Sequence, residues 1–223
     1  MKEMLSGTLF LDGFAAKNLQ DRGLGEYLGV EVREWHGASK SIELIGEEKK
    51  RVGVQKQAFE LVPMEGAKAE SMVCNIPDGK TDVPLFPGSV SYKNSLGGTV
   101  VTFSGMAQTK FVYTEFSFLS ESRKNQFIRL LKETGNLPVY YPDDAEVYLK
   151  AADAPGGEPF VAFFNIGFDP IENITLVSEK PVTKIEKLNS EGEREEVSFR
   201  LVDGVLELDE PAYTLNPVIL FLK

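Results

Sequence analysis

The side chains able to act as nucleophile, base or metal ligand are few. The chain of 223 residues holds one cysteine, Cys74, and one histidine, His36. One of each excludes an intrachain disulfide and leaves a Cys/His zinc cage short of ligands. A thiol nucleophile needs a neighbouring base. A nucleophile elbow also needs glycine two residues before and two after, because its strained turn leaves no room for side chains. Around Cys74 those positions are Met72 and Ile76. Cys74 therefore reads as a buried structural cysteine, and His36, in an HGAS turn, as a surface residue.

Carboxylates are plentiful, with 34 Asp and Glu, so eligible pairs arise by number alone. Glycoside hydrolysis needs two of them about 5–10 Å apart across a cleft. Asp12 is the best-placed acid, at the end of an expected strand and the start of an expected helix, where ligands bind in open α/β sheets. The same position suits a helix N-cap. Asp82 and the pair Asp143-Asp144 read as solvated turn residues. Gly23-Leu24-Gly25 and Gly97-Gly98 lack both the Walker ending and the GxGxxG spacing, so they read as breakers and not as phosphate cradles. For carbohydrate, which stacks its apolar C–H face on aromatic rings, Trp35, Tyr113, Tyr140, Tyr141 and Tyr213 are the available platforms, with Trp35, Tyr140 and Tyr141 the possible contacts. Tyr140 and Tyr141 stand side by side in PVYYPDD, and neighbours on a strand face opposite sides. One of the two is thereby free to bury and lock a domain interface. No catalytic residue, cofactor site or metal site is expected.

Composition narrows the partners. The formal charge is −10, which disfavours nucleic acid and anionic membrane surfaces, both of which are bound through Lys and Arg clusters. Hydrophobic content of 42% and charged content of 26% are those of an ordinary soluble globular chain. No signal peptide and no apolar run of about 18 residues is seen. A soluble protein is expected, cytoplasmic if the chain is complete.

The elements that would position these residues begin at Thr8. Leu9, Phe10 and Leu11 read as a strand buried on both faces. Asp12 then opens a helix whose inward face is Phe14, Ala15, Leu19 and Ala16. Gly23 and Gly25 break it, Leu24, Tyr27 and Leu28 form a second turn, and Val30, Val32 and Trp35 alternate inward. From Ser41 to Asn94 the pattern is β, with a hairpin tip at Glu47 to Arg51 and a loop from Lys80 to Pro87. TVVTFSG resembles the first strand. Ser120 or Ser122 starts the best helix, with Phe127, Leu130 and Leu131 inward, Arg123, Lys124, Arg129 and Lys132 outward, and Gly135 as its stop. Thr109 to Phe118 is β-type and aromatic. The boundary between two domains is expected at 142/143. Beyond it, about seven short strands read as a small all-β antiparallel sandwich. Asn173-Ile174-Thr175 matches the glycosylation triplet inside an expected strand and is treated as chance.

This order of parts resembles the C-terminal half of β-galactosidase-type glycoside hydrolases, in which a catalytic barrel is followed by an amidotransferase-like domain and a β-sandwich. SGTLFLDG is similar to that middle domain's glycine-preceded strand, and EYLGVEVREW to its LG-V motif. KNSLGGT is similar to its basic-residue turn, although the Gly-x-Gly spacing is missing. VAFFNIG resembles the final sandwich's Phe-Asn strand end, and LNPVILFLK its closing strand. The resemblance implies an α/β, β-rich amidotransferase-like domain over 1–142, truncated and without the barrel's catalytic glutamates, followed by a β-sandwich over 143–223. It implies a non-catalytic accessory region that packs against an upstream barrel or an oligomer partner. A carbohydrate-binding module and a small independent hydrolase are the alternatives.

Overall fold

A computed structural model describes residues 2–35, 41–46, 49–53, 58–105, 120–135, 137–154 and 156–223, excluding the side chain of Trp35. His36 and the aromatic stretch 109–118 lie outside the described residues. The chain is β-rich and divides into two compact units, Met1–Thr134 and Gly135–Lys223.

In the first unit the elements run β1 (Thr8–Leu11), α1 (Gly13–Leu19), β2 (Val30–Trp35), β3 (Ser41–Ile45), β4 (Lys50–Gly53), β5 (Ala58–Pro63), β6 (Lys68–Asn75), β7 (Val83–Lys93), β8 (Thr99–Phe103) and α2 (Glu121–Glu133). Six strands form one sheet in the order β1-β8-β7-β6-β3-β4, and β2 pairs separately with β5. Only β1 and β8 are parallel; the other pairs are antiparallel.

Both faces of β1 are packed, as its unbroken apolar run requires. Leu9 and Leu11 join Val90 and Val100 against Ala16, Leu24, Tyr27, Leu28 and the β2–β5 pair. Phe10, on the other face, packs with Val101, Phe103, Phe127 and Leu130. The rings of Phe10 and Phe103 each stack on Phe127, with centroids 5.3 and 5.0 Å away. Asp12 caps α1, its carboxylate accepting from the Ala15 N–H at 2.7 Å. Phe14, expected inward, is exposed. The residue turned to the sheet is Gly13, where a methyl group would strike the carbonyls of Phe103 and Ser104. That close approach sets the phase of the helix. Met4–Ser6 forms a 3₁₀ turn, and Gly7 after it is extended.

Two further expectations fail for physical reasons. Lys80 to Pro87 is not a loop throughout, since β7 begins at Val83 and runs through Pro84 and Pro87. β8 covers β7 only over Ser89–Lys93. The prolines therefore sit where no second neighbour asks for their missing N–H. In α2, capped by Ser120 and closed by a left-handed Gly135, Arg123 faces inward and is 3% exposed.

The second unit starts earlier than 142/143, because β9 (Val139–Tyr140) pairs with β12 (Thr175–Ser178). Between them lie β10 (Val147–Asp153) and β11 (Pro159–Asn165). After β12 come β13 (Ile185–Leu188), β14 (Arg194–Glu196), β15 (Phe199–Val202), β16 (Val205–Leu208) and β17 (Val218–Leu222). Two antiparallel sheets result, ordered β10-β11-β17-β13-β14 and β15-β16-β12-β9. Val161, Phe163, Ile185, Leu220 and Leu222 of the first meet Val139, Leu176, Leu206 and Leu208 of the second in one core. Within EVSFRLVDG the chain passes from one sheet to the other, Glu196 ending β14 and Phe199 starting β15. Val197 turns into the core between β14 and β15. Asn173 precedes β12 and is exposed.

On the outer face of the larger sheet, the Arg194 guanidinium lies 3.5 Å from the centre of the Phe221 ring and pairs with Glu158 at 2.7 Å. Beside it, hydrogen bonds from Lys184 and Lys223 hold the Glu186 carboxyl down at about 2, against 4.5 ordinarily. A carboxyl lowered in the folded state stabilises fully above its unfolded value and loses that contribution as pH falls through the folded one. Melting temperature is therefore expected to drop between pH 4.5 and about 2. Glu186→Gln is expected to blunt the drop; superimposable acid profiles would contradict the assignment.

Candidate functional site

A buried polar construction lies under α2. Spacing of three and four residues puts Arg123, Gln126, Phe127 and Leu130 on one helical face. Phe127 and Leu130 meet the phenylalanine stack, and Arg123 and Gln126 meet the neighbouring strands. There β6 carries a bulge: Ala69 pairs with Val90 and Ser71 with Ser89, so Glu70 is an extra residue. The bulge lets the consecutive Glu70 and Ser71 serve the same region under the helix.

The hydrogen bonds close on themselves. The Glu43 carboxylate accepts from Arg123 and from the Ser71 hydroxyl. Arg123 also donates to Gln126 Oε1. Gln126 Nε2 donates to Ser89 Oγ at 2.9 Å and to the Glu70 carbonyl at 3.2 Å. The Ser71 and Ser89 hydroxyls are 2.6 Å apart. Gly88 makes the room, since a methyl group there would overlap the Glu43 carboxylate.

At its outer end this seam opens into a groove of about 780 Å³ lined by Ile45, Lys50, Lys68, Glu70, Asn125 and Arg129, among others. Glu70 is the acid at its floor. Burial pushes its carboxyl up, but hydrogen bonds from Ser91, Arg129 and Lys68 outweigh burial and hold it below the usual range. The contacts are 2.6 Å to Ser91 and to Arg129 and 3.1 Å to Lys68. A carboxylate kept ionised in this way has no proton to give a leaving group. Glu43 is committed to Arg123 and Ser71. The groove thus adjoins an ionic latch between helix and sheet.

Several of the residues singled out in the sequence have local roles where they are described. Cys74 is buried in β6, and burial pushes its thiol up. Asp12 is spent on its cap, and a helix of seven residues follows it. Asp82 pairs with Arg51 at 2.8 Å, and Asp143 accepts from Thr175 at 2.5 Å. Trp35 ends β2 in the first unit, whereas Tyr140 and Tyr141 belong to the second. Tyr140 lies in β9, and Tyr141 follows it with its ring edge-on to Phe163 at 5.5 Å, packed on the core of its own unit. An apolar cavity of about 480 Å³ in that unit, lined by Val139, Ala151, Phe160, Val182 and Leu222 among others, includes neither tyrosine. Among the described residues, no group of three or more His, Cys, Asp or Glu could hold a metal ion. No helix described is long and apolar enough to cross a membrane.

Sequence reasoning missed the latch because α2 reads as a basic helix with its cations in water. Its traces are the Arg-x-x-Gln spacing at 123 and 126, the Ser-x-Ser of β7 and the Glu-Ser pair of β6. Each is common by itself, and only the sheet brings them together.

No family model matches the sequence, and a search of curated proteins gives no match. Among solved structures, α-L-fucosidase isoenzyme 2 from Paenibacillus thiaminolyticus superimposes on 99% of this chain with a TM-score of 0.55 at 10% sequence identity. The chain spans 37% of the length of that fucosidase. At this identity the likeness concerns the fold, which is similar to part of a glycoside hydrolase.

Proposed function

We propose that this chain is a non-catalytic accessory region of a glycoside-hydrolase-related protein. Its first unit is an amidotransferase-like α/β domain and its second a β-sandwich. The region works by packing against a catalytic barrel or an oligomer partner. One observation carries this reading: nearly the whole chain, 99% of it, matches a piece amounting to 37% of a much longer glycoside hydrolase. The site chemistry agrees with it. The two most buried acids among the described residues, Glu43 and Glu70, are engaged by arginine and serine, and the helix cap uses Asp12.

The purified chain is expected to release no nitrophenol from aryl α-L-fucoside or aryl β-galactoside above the buffer rate. Turnover that survives purification and is abolished by a single acidic substitution, such as Glu70→Gln, would overturn the proposal. Glycan binding lost on Trp35→Ala or Tyr140→Ala would favour a carbohydrate-binding module in its place.

A further inference from the structure

One end of the second unit presents apolar side chains to water on a rigid base. The residues after β11 and those before β17 form two loops that hold each other. Asn165, buried, donates through its amide to the carbonyls of Asp169 at 2.8 Å and Ala212 at 3.0 Å. Its side-chain oxygen accepts from the Gly167 N–H at 2.9 Å. Its backbone oxygen accepts from Leu215 N–H at 2.9 Å. Ile171 and Ala212 exchange backbone bonds, and the Thr214 hydroxyl reaches the Phe168 carbonyl at 3.2 Å.

On this base Phe168 is 97% exposed and Leu215 75%, with Ile166 and Tyr213 each more than half exposed. Four large apolar side chains on two adjoining, cross-braced loops are not the scattered surface hydrophobics of an ordinary monomer. Such a patch gains in binding because little ordering remains to be done. No described residue of its own unit covers Phe168.

The segments around the patch are acidic, and a cation recorded against them is Lys187, paired with Glu210 at 2.9 Å. Residues 135–223 hold 17 Asp and Glu against 7 Lys and Arg, which accounts for the whole formal charge of −10. The segments that flank the patch, 142–149, 166–174 and 209–217, contain no Lys or Arg. Glu146, whose carbonyl accepts from the Ile166 and Gly167 N–H groups, lies beside the patch with Asp169, and Asp144 and Glu172 follow nearby in the chain. All four are exposed.

We propose that this loop end is a docking surface for a basic protein partner, one whose surface offers an apolar socket for Phe168 and Leu215 rimmed by Lys or Arg. The proposal rests on the packing role above and names the face and chemistry through which it acts. Two copies meeting through the same patch would set acid against acid, so charge selects a different chain or domain.

The test uses a fluorescent amphipathic helical peptide of leucine and lysine, with a leucine–glutamate peptide as counterpart, and reads anisotropy with the full chain. The lysine peptide is expected to bind and the glutamate peptide not, with affinity falling as salt rises. Phe168→Ala combined with Leu215→Ala is expected to weaken binding about tenfold or more, whereas Leu201→Ala, at an exposed apolar position on β15, leaves it unchanged. Asp169→Asn with Glu172→Gln, which leaves the loops' backbone bonds in place, is expected to reduce both affinity and salt dependence. Equal binding by the wild type and the Phe168/Leu215 variant would overturn the proposal. So would self-association in sedimentation, or glycan binding, that Phe168→Ala abolishes. The hydrolysis assay decides the accessory reading separately, so loss of this face leaves that reading standing, and the reverse.

Discussion

Glu43→Ala is expected to destabilise the first unit by about 3–5 kcal/mol, the range for breaking a buried ion pair by removing one partner. The cost comes from what remains. Arg123, 3% exposed, would keep its charge in a space from which water is excluded. Ser71 would lose its acceptor, and the bonds through Gln126 and Ser89 would lose their anchor. Arg123→Ala is expected to cost a similar amount for the converse reason, a carboxylate stranded in β3. Because both substitutions break one interaction, the double variant should be less unstable than the two losses added together. Urea unfolding followed by fluorescence of Trp35, the single tryptophan, reports on the unit concerned. A loss below about 1 kcal/mol for both single variants, the value of an exposed pair, would show that the seam is wet and the latch inert. Replacing Glu43 by Gln tests the charge apart from the volume. It keeps an acceptor for Ser71 and is expected to fall between the wild type and Glu43→Ala.

Gly98→Ala is expected to cost about 3 kcal/mol, the upper end of overpacking penalties, although it adds one methyl group. The nearest atoms to that methyl would be main-chain atoms of Leu5, Ser6 and Gly7, which cannot swing aside as a side chain can. They are pinned as well. The Gly7 carbonyl accepts from the Thr99 N–H at 3.0 Å. Asn94, buried, donates to the Leu5 carbonyl at 2.8 Å while its oxygen accepts from the N–H groups of Leu96 and Gly98. The turn into β8 and the approach to β1 are thus one construction, and separating them threatens the parallel β1–β8 pair. Gly97→Ala provides the contrast: Gly97 is left-handed, with open space around it. Its penalty should be only the backbone cost of about 1–2 kcal/mol. Equal losses at the two positions would mean that close approach is not what requires Gly98.

The glycines in the motifs singled out from the sequence have structural roles. In SGTLFLDG, Gly13 lies against the end of β8. In EYLGVEVREW, Gly29 is left-handed and lies directly under the Tyr92 ring. In KNSLGGT, Asn94 and Gly98 join the turn to the N-terminal segment. Each marks a place where backbone meets another element too closely for a side chain, which is a requirement of the fold and carries no chemistry.

The sequence by itself determined what depends on near neighbours along the chain. The cap at Asp12, a serine cap at 120 or 122, the stop at Gly135, the twin apolar runs that became β1 and β8, and the alternating strands of the second unit all follow from periodicity and turn chemistry over a few residues. Only the tertiary structure decided matters that depend on distant residues. Arg123 turns inward because Glu43, eighty positions earlier, waits on β3 beside the space left by Gly88. Phe14 turns outward because Gly13 must touch β8. Pro84 and Pro87 are tolerated in a strand because β8 stops short of them. EVSFRLV divides between two sheets because Val197 is drawn into a core built by other strands. The exposed cluster of Phe168 and Leu215 is also invisible in sequence, where apolar residues predict burial. Asn165 and its bonds across two loops hold them in water instead.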